Sequence, residues 1–123
     1  MLRVKIEFTL PMNPEPRARA RIVGHRAWTP GKDEFEREFW ALLSRDARKA
    51  NLTRATLVVR FYRRGRAADL DNILKATIDA LVTCGVLRGD TLEHLWRIDA
   101  EGFCAPDEKR PRIELVIEGQ PAS

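Results

Sequence analysis

The chain has 123 residues, of which 44% are hydrophobic, and this composition excludes a disordered tail and indicates one globular domain over residues 1–123. The net charge of +4 and the pI near 9.5 suit a polyanionic partner. No apolar run approaches the length of a membrane span, and no signal-peptide core opens the chain. The two cysteines lack the short spacing of a metal site, so we expect reduced, at least partly buried thiols in a cytoplasmic protein.

The first two predicted elements are a strand and a helix, separated by a long loop. Residues 4–10 alternate between apolar and polar side chains, which is typical of a half-buried strand, and Pro11 ends it. After the loop, a helix is predicted by apolar residues that recur at i, i+4, i+7 and i+8, namely Phe35, Phe39, Leu42 and Leu43. Asn51 is a plausible end of that helix.

The predicted loop, residues 13–31, is rich in arginine. Five arginine or lysine residues and no acid lie between positions 17 and 32. Arg19 and Arg21 are candidates for binding DNA phosphates, and Trp28 is a candidate for stacking on a base. The alternative is a solvated loop whose arginines pair with acids of the following helix.

A second strand is predicted at residues 55–62, which are β-branched and aromatic. Arginines continue from this strand toward a group of acids. Arg63, Arg64 and Arg66 are DNA-binding candidates, because cations that hold phosphates beside carboxylates suit phosphodiester cleavage. Alternatively, these arginines only screen the acids through surface ion pairs, each of which contributes little.

A second helix is predicted to begin near Asp71, and Asp71 or its neighbour can serve as the N-cap. Gly85 is well placed to end this helix in a left-handed conformation. The helix has one apolar face, because four residues follow helical spacing: Leu74, Ile78, Leu81 and Val82.

Acids and one lysine form a different stripe of this helix. Asp71, Lys75 and Asp79 are spaced i, i+4, i+8, and Asp69 lies across the turn from Asp71. Carboxylates gathered in one space repel one another unless a cation lies between them, and Mg²⁺ takes oxygen ligands. The alternative is that Asp71 only caps the helix, that Asp69 is a turn residue and that Asp79 belongs to a solvated face.

Two further strands complete the chain. Residues 92–103 are predicted to be a strand, although their first half could form a short helix, and residues 112–118 alternate cleanly. His94 lies four residues after Asp90 and has no assigned role, because Mg²⁺ does not favour imidazole. The order β-α-β-α-β-β predicts a small α/β (α+β) domain, in which both helices pack on one face of a mixed sheet.

The acidic stretch closely resembles the signature of the RusA family of Holliday junction resolvases. The resemblance rests on Asp69-Leu-Asp71-Asn72-Ile-Leu-Lys75-Ala-Thr-Ile-Asp79-Ala-Leu81, followed by Gly85-Val-Leu87 and Asp90. It covers residues 60–90 well and, more loosely, almost the whole chain. Two softer matches, Arg19-Ala-Arg21 and Thr29-Pro30, look like the family's Arg-Pro-Arg and Tyr-Thr-Pro elements.

The resemblance implies roles for particular residues. It implies that Asp69, Asp71 and Asp90 bind Mg²⁺ and that Lys75 assists catalysis. Where the family usually has an Asp-Asp pair, this chain has Gly89-Asp90, so the first acid of the pair is missing. The spacing from the first motif indicates that the retained Asp90 is the catalytic member.

The resemblance further implies a homodimer of mixed α/β subunits, with two active sites in a basic surface. The expected function is that of a crossover junction endodeoxyribonuclease, a Mg²⁺-dependent enzyme that resolves four-way DNA junctions by paired symmetric nicks during recombination and repair. Two alternatives stay open. The chain could be a junction- or nucleic-acid-binding module that does not cut, or a nuclease that acts on other branched DNA.

Overall fold

A computed structural model of the chain describes residues 2–16, 21–23, 26–28 and 31–122, with the backbone alone at 21–23 and 26–28. The elements in chain order are β1 (Val4–Leu10), β2 (Arg21–Val23), β3 (Arg26–Trp28), α1 (Lys32–Leu42), α2 (Arg45–Arg48), β4 (Leu52–Arg64), α3 (Leu70–Thr83), β5 (Leu95–Ala105) and β6 (Arg112–Pro121). The four long strands agree in place with the four predicted ones, and α3 agrees with the second predicted helix.

The four long strands form one mixed sheet in the order β1-β6-β4-β5. The pairs β1–β6 and β4–β6 are antiparallel, whereas β4 and β5 are parallel. The parallel pair is joined through α3, as a parallel connection requires a crossover. The predicted mixed α/β sheet is therefore confirmed, with β1 and β5 as its edge strands.

One face of this sheet carries the hydrophobic core. Alternate residues of the two central strands are almost fully buried: Leu57, Val59 and Phe61 of β4 and Ile113, Leu115 and Ile117 of β6. Phe39 of α1 and Leu81 of α3 belong to the same hydrophobic cluster. Burial of each such side chain contributes about 1.5–3 kcal/mol, so both long helices are held on the predicted single face.

The first predicted helix is in fact two helices. Leu43 has an extended backbone, with φ −76° and ψ 143°, and Ser44 begins a new turn by accepting a hydrogen bond from the Ala47 amide at 3.1 Å. The prediction of one helix ending at Asn51 was therefore wrong, because a serine N-cap competes with continuation of the first helix. Leu42, predicted to be apolar core, is 38% exposed.

Two other predicted boundaries also differ. The predicted loop 13–31 contains the antiparallel hairpin β2–β3, whose three-residue strands are too short to show a periodicity. β5 begins at Leu95 rather than at residue 92, because the His94 and Leu95 amides both donate to the Thr91 carbonyl and form a turn. Residues 92–94 of the predicted strand are thus a turn, neither strand nor helix.

The α3 helix sets the geometry of the acidic stripe. Ile78 and Leu81 are buried as predicted, but Ile73 and Thr77 complete the buried face while Leu74 and Val82 are only partly buried. The face opposite this buried side carries the stripe that begins at Asp71. The helix ends as predicted, since Gly85 adopts φ +86° directly after the last turn.

Candidate catalytic and nucleic-acid-binding site

Asp69 and Asp71 flank the first residue of α3, and both are exposed. Asp69 occupies the N-cap position with an extended backbone, but its side chain makes no capping hydrogen bond. The Asp71 carboxylate accepts a hydrogen bond only from the adjacent Asn72 amide, at 3.0 Å, among the described residues. These acids therefore do not serve as side-chain caps, and their oxygens remain accessible at the helix end where anionic groups are most stable.

Lys75 lies one turn further along α3 and is exposed. Its Nζ is 3.9 Å from an Asp79 carboxylate oxygen, and the side chains of Lys75 and Asp79 are 57% and 20% exposed. A partly exposed pair at this distance contributes little to stability. This contact therefore does not fix the Lys75 ammonium group in one position.

Asp90 lies toward the other end of the stripe. It lines a surface cavity of about 250 Å³ with Asp79, Lys32, Val82 and Thr83. Because Asp79 is ten residues along α3 from Asp69, a rise of 1.5 Å per residue separates their backbones by about 15 Å. The structure thus brings Asp90 together with Asp79 rather than with Asp69 and Asp71.

The donor chemistry at the start of α3 fits a hard divalent cation. Mg²⁺ is commonly held by one or two carboxylates, while water and substrate phosphates fill its other positions. Asp69 and Asp71 can supply such a pair. Among the described residues, however, no three acidic, histidine or cysteine side chains lie close enough together to hold one ion, so the three-ligand set with Asp90 stays a prediction.

Two of the candidate DNA-binding arginines support the protein's own backbone. The Arg63 guanidinium donates to the Pro14 and Arg66 carbonyls, and its side chain is only 15% exposed. The Arg64 guanidinium donates to the carbonyls of Glu108 and Lys109. Both side chains thereby hold neighbouring loops in place while keeping their positive charge near the end of β4.

The structure describes the remaining candidate arginines to different extents. Arg66 is exposed and has no side-chain partner within the described part of the chain, so it is available to a phosphate. Arg19 lies outside the described residues. Arg21 lies on β2, and its side chain is also outside them.

A layered stack on the open sheet face was not predicted from the sequence. The rings of Tyr62 and Phe103 are stacked, with centroids 5.0 Å apart and planes at 17°, and the Arg112 guanidinium lies 3.7 Å from the Tyr62 centroid. The Arg112 guanidinium donates a hydrogen bond to Glu114 at 3.0 Å, and this bond raises its pKa further above the ordinary value. Phe103 is 48% exposed, and exposed aromatic rings beside arginines are typical of nucleic-acid-binding surfaces.

Only strand pairing reveals this stack. Tyr62 lies opposite Phe103 in the parallel pair and opposite Arg112 in the antiparallel pair. Alternation along β4 places Tyr62 on the face away from Phe61, but the sequence does not show which residues of other strands join it. The stack extends the basic region that Arg64 and Arg66 begin.

The two thiols have different environments. Cys84 is buried, and this burial raises the pKa of its thiol to about 11, so it remains protonated and weakly nucleophilic. Cys104 is exposed, which corrects the expectation that both thiols are at least partly buried. The two cysteines are not bonded to each other.

Comparisons with known proteins do not assign this chain. No protein-family model and no curated protein matches it. One similar solved structure is a crystal structure of a HypE-HypF complex, with a TM-score of 0.39 and 15% sequence identity over 95% of this chain and 32% of the matched chain. This chain is thus about a third of that chain's length, and a likeness of this degree supports no conclusion about fold or function. Within the described residues, no helix is both long and apolar enough to span a membrane.

Proposed function

We propose that this protein is a Mg²⁺-dependent, structure-selective endonuclease that resolves four-way DNA junctions. The observation that carries the proposal is the start of α3, where Asp69 and Asp71 are exposed and make no side-chain cap. Lys75 follows one turn later, and an arginine-rich strand end precedes them. Helix caps and solvated faces do not account for this combination, whereas phosphodiester cleavage uses each of these groups.

The proposed roles follow from position and charge. Asp69 and Asp71 would hold the cation, and Asp90 stays the third ligand that the resemblance implies. When bound, Mg²⁺ neutralises charge on the scissile phosphate and activates a water molecule. Lys75 stabilises the negative charge that develops on the phosphate oxygens.

The basic surface supports binding of the DNA backbone. Arg66 contacts phosphates directly, and Arg63 and Arg64 add positive charge from their fixed positions, with Arg19 and Arg21 as further expected contacts. The exposed ring of Phe103 offers a stacking surface for an unpaired base at the branch point. Affinity that depends on several phosphate contacts falls steeply as salt is raised.

Cleavage of a panel of labelled DNAs tests this function. The panel contains a four-way junction, a flap, a linear duplex and a single strand, each incubated with Mg²⁺ and with EDTA. We expect cuts in the junction alone, with Mg²⁺ alone, leaving 5′-phosphate and 3′-hydroxyl ends. Preferred cleavage of the flap would instead support a nuclease for other branched DNA.

A second candidate function is a junction-binding module that does not cut. The specific observation that favours it is the position of Asp90, which shares a cavity with Asp79 and Lys32 rather than with the first two acids. If the wild-type protein retards the junction on a gel but leaves it intact with Mg²⁺, this candidate replaces the endonuclease.

Dimerisation is part of the proposal, because a four-way junction has approximate two-fold symmetry and a C2 dimer presents two equivalent sites. The edge strand β5 offers a surface for the second copy. Trp96 and Ile98 are 55% and 42% exposed on this strand, whereas no large apolar side chain of β1, the opposite edge, is exposed to this degree. We therefore place the dimer contact at β5.

When two copies of β5 pair antiparallel, one register brings oppositely charged residues of the two copies together. If Ile98 lies opposite Ile98 of the second copy, Arg97 lies opposite Asp99 of the second copy on both sides of the axis. Opposite charges at directly facing positions stabilise an antiparallel pair, and like charges destabilise it. The two symmetric contacts therefore specify both the partner and the register.

Charge reversal tests this interface. We expect Arg97→Asp to weaken the dimer at least about tenfold in sedimentation measurements, because each Asp99 then faces a carboxylate. The double variant Arg97→Asp/Asp99→Arg should restore it. Lys5→Asp on β1 is the matched control and should leave the dimer unchanged. An equal loss in the single and double variants would exclude this register.

A further inference from the structure

Gly89 lies in close contact with the ring of His94. A Cβ added at position 89 would be 2.6 Å from His94 Cδ2, which is closer than such atoms approach, and 3.4 Å from Cγ. The backbone at Gly89 is not in the left-handed region, unlike that at Gly31, Gly65 and Gly85. The imidazole ring, rather than the backbone conformation, therefore excludes a side chain at position 89.

The His94 ring is itself held in place by the start of β4. Its Nδ1 is 2.8 Å from the Thr53 hydroxyl oxygen, and the His94 carbonyl accepts a hydrogen bond from the Ala55 amide at 2.9 Å. The other end of the turn is attached to the same strand, because the Arg88 amide donates to the Leu52 carbonyl at 2.9 Å. The segment 88–94 is thus fixed to β4 at both ends.

Asp90 is exposed within this segment and directly follows Gly89. Because the ring of His94 packs on Gly89, it restricts the positions that the neighbouring Asp90 backbone can adopt. The ring occupies the space in which a side chain at position 89 would lie.

We propose that His94 is the positioning residue of the Asp90 turn, acting through its packing on Gly89 and its bond to Thr53. This inference rests on the proposed function only in that it assigns Asp90 to the active site. It predicts that residues 89 and 94 are energetically coupled: a side chain at position 89 is harmful only while the imidazole is present. The two substitutions are therefore not additive.

A double-mutant cycle of Gly89→Ala, His94→Ala and the double variant tests the coupling. The first readout is hydrogen exchange of the amides in residues 89–94, measured without DNA or metal. We expect Gly89→Ala to raise the exchange rate in this segment at least about tenfold, because the added methyl group displaces the His94 ring and releases the turn. In a protein that already carries His94→Ala, the same substitution should raise the rate less than about twofold. Gly89→Asp should behave as Gly89→Ala.

The second readout is junction cleavage across a range of Mg²⁺ concentrations. We expect His94→Ala to raise the Mg²⁺ concentration for half-maximal cleavage, with thermal unfolding showing that the variant is folded at the assay temperature. His94→Asn, which keeps a polar group for Thr53, should recover part of the effect. A purely structural histidine would lower the unfolding temperature and leave the Mg²⁺ dependence unchanged.

The outcomes separate the two proposals. If wild type fails to cut any DNA, the endonuclease function is wrong, and the exchange cycle still decides whether His94 fixes the turn. If wild type cuts but Gly89→Ala is equally harmful with and without His94, the positioning role is wrong. Unchanged exchange in all three variants overturns it as well.

Discussion

Asp71→Asn is expected to bind a four-way junction as tightly as wild type and to cut it at least about a hundredfold more slowly. The substitution removes one negative charge and one strong cation ligand but keeps the shape of the side chain. Because Asp71 makes no side-chain cap and is exposed, the fold does not depend on its carboxylate. Cleavage on a denaturing gel and binding by gel shift measure the two effects separately.

Asp46→Asn on α2 is the matched control for this experiment, since it makes the same change of charge at an exposed acid outside the proposed site. It should leave cleavage within about twofold of wild type. If both variants slow cleavage equally, the effect is one of net charge on DNA binding. If neither does, Asp71 is not a catalytic residue.

Gly85→Ala is expected to lower the free energy of unfolding by about 2–5 kcal/mol, a large part of the total for a domain of this size. Two causes add together. The φ of +86° is unfavourable for any residue with a Cβ, and that Cβ would be 2.5 Å from the Arg48 carbonyl oxygen. Because this neighbour is backbone, it can move away only if α2 shifts.

Gly31→Ala separates the two causes. Gly31 has a similar φ of +76°, but a Cβ there would meet nothing within 4 Å. This variant should lose only the conformational part, about 1–2 kcal/mol. Urea unfolding of both variants gives the difference, and equal losses would show that the α2 contact does not constrain Gly85.

The elements that could be predicted from sequence are those in which the apolar residues repeat regularly over several helical turns or along a whole strand. β6 and α3 are clear examples, since each presents one long buried face. The break between α1 and α2 was missed although Ser44 is a visible cap signal, because the apolar repeat at Leu42 and Leu43 continues past it. The hairpin β2–β3 depends on pairing rather than on pattern, so three-residue strands gave no signal.

The sequence indicated which residues belong to the candidate site, but it did not show how they are arranged in space. Asp69, Asp71 and Lys75 are placed by one helix, and helical spacing alone puts them at its start and along its exposed side. Asp90 is placed by a turn whose path depends on how His94 packs on Gly89 and bonds to Thr53. The bond between Thr53 and His94 joins residues distant in sequence, as does the stack of Tyr62 and Phe103, and periodicity carries no information about either contact.

The most direct test of the proposed function is the cleavage map of a synthetic four-way junction labelled in turn on each strand, with Mg²⁺ and with EDTA. The proposal predicts nicks at symmetric positions in two opposed strands, dependent on Mg²⁺, with ends that a ligase can seal. An intact junction at protein concentrations that fully retard it on a gel would contradict the endonuclease and leave a DNA-binding module in its place.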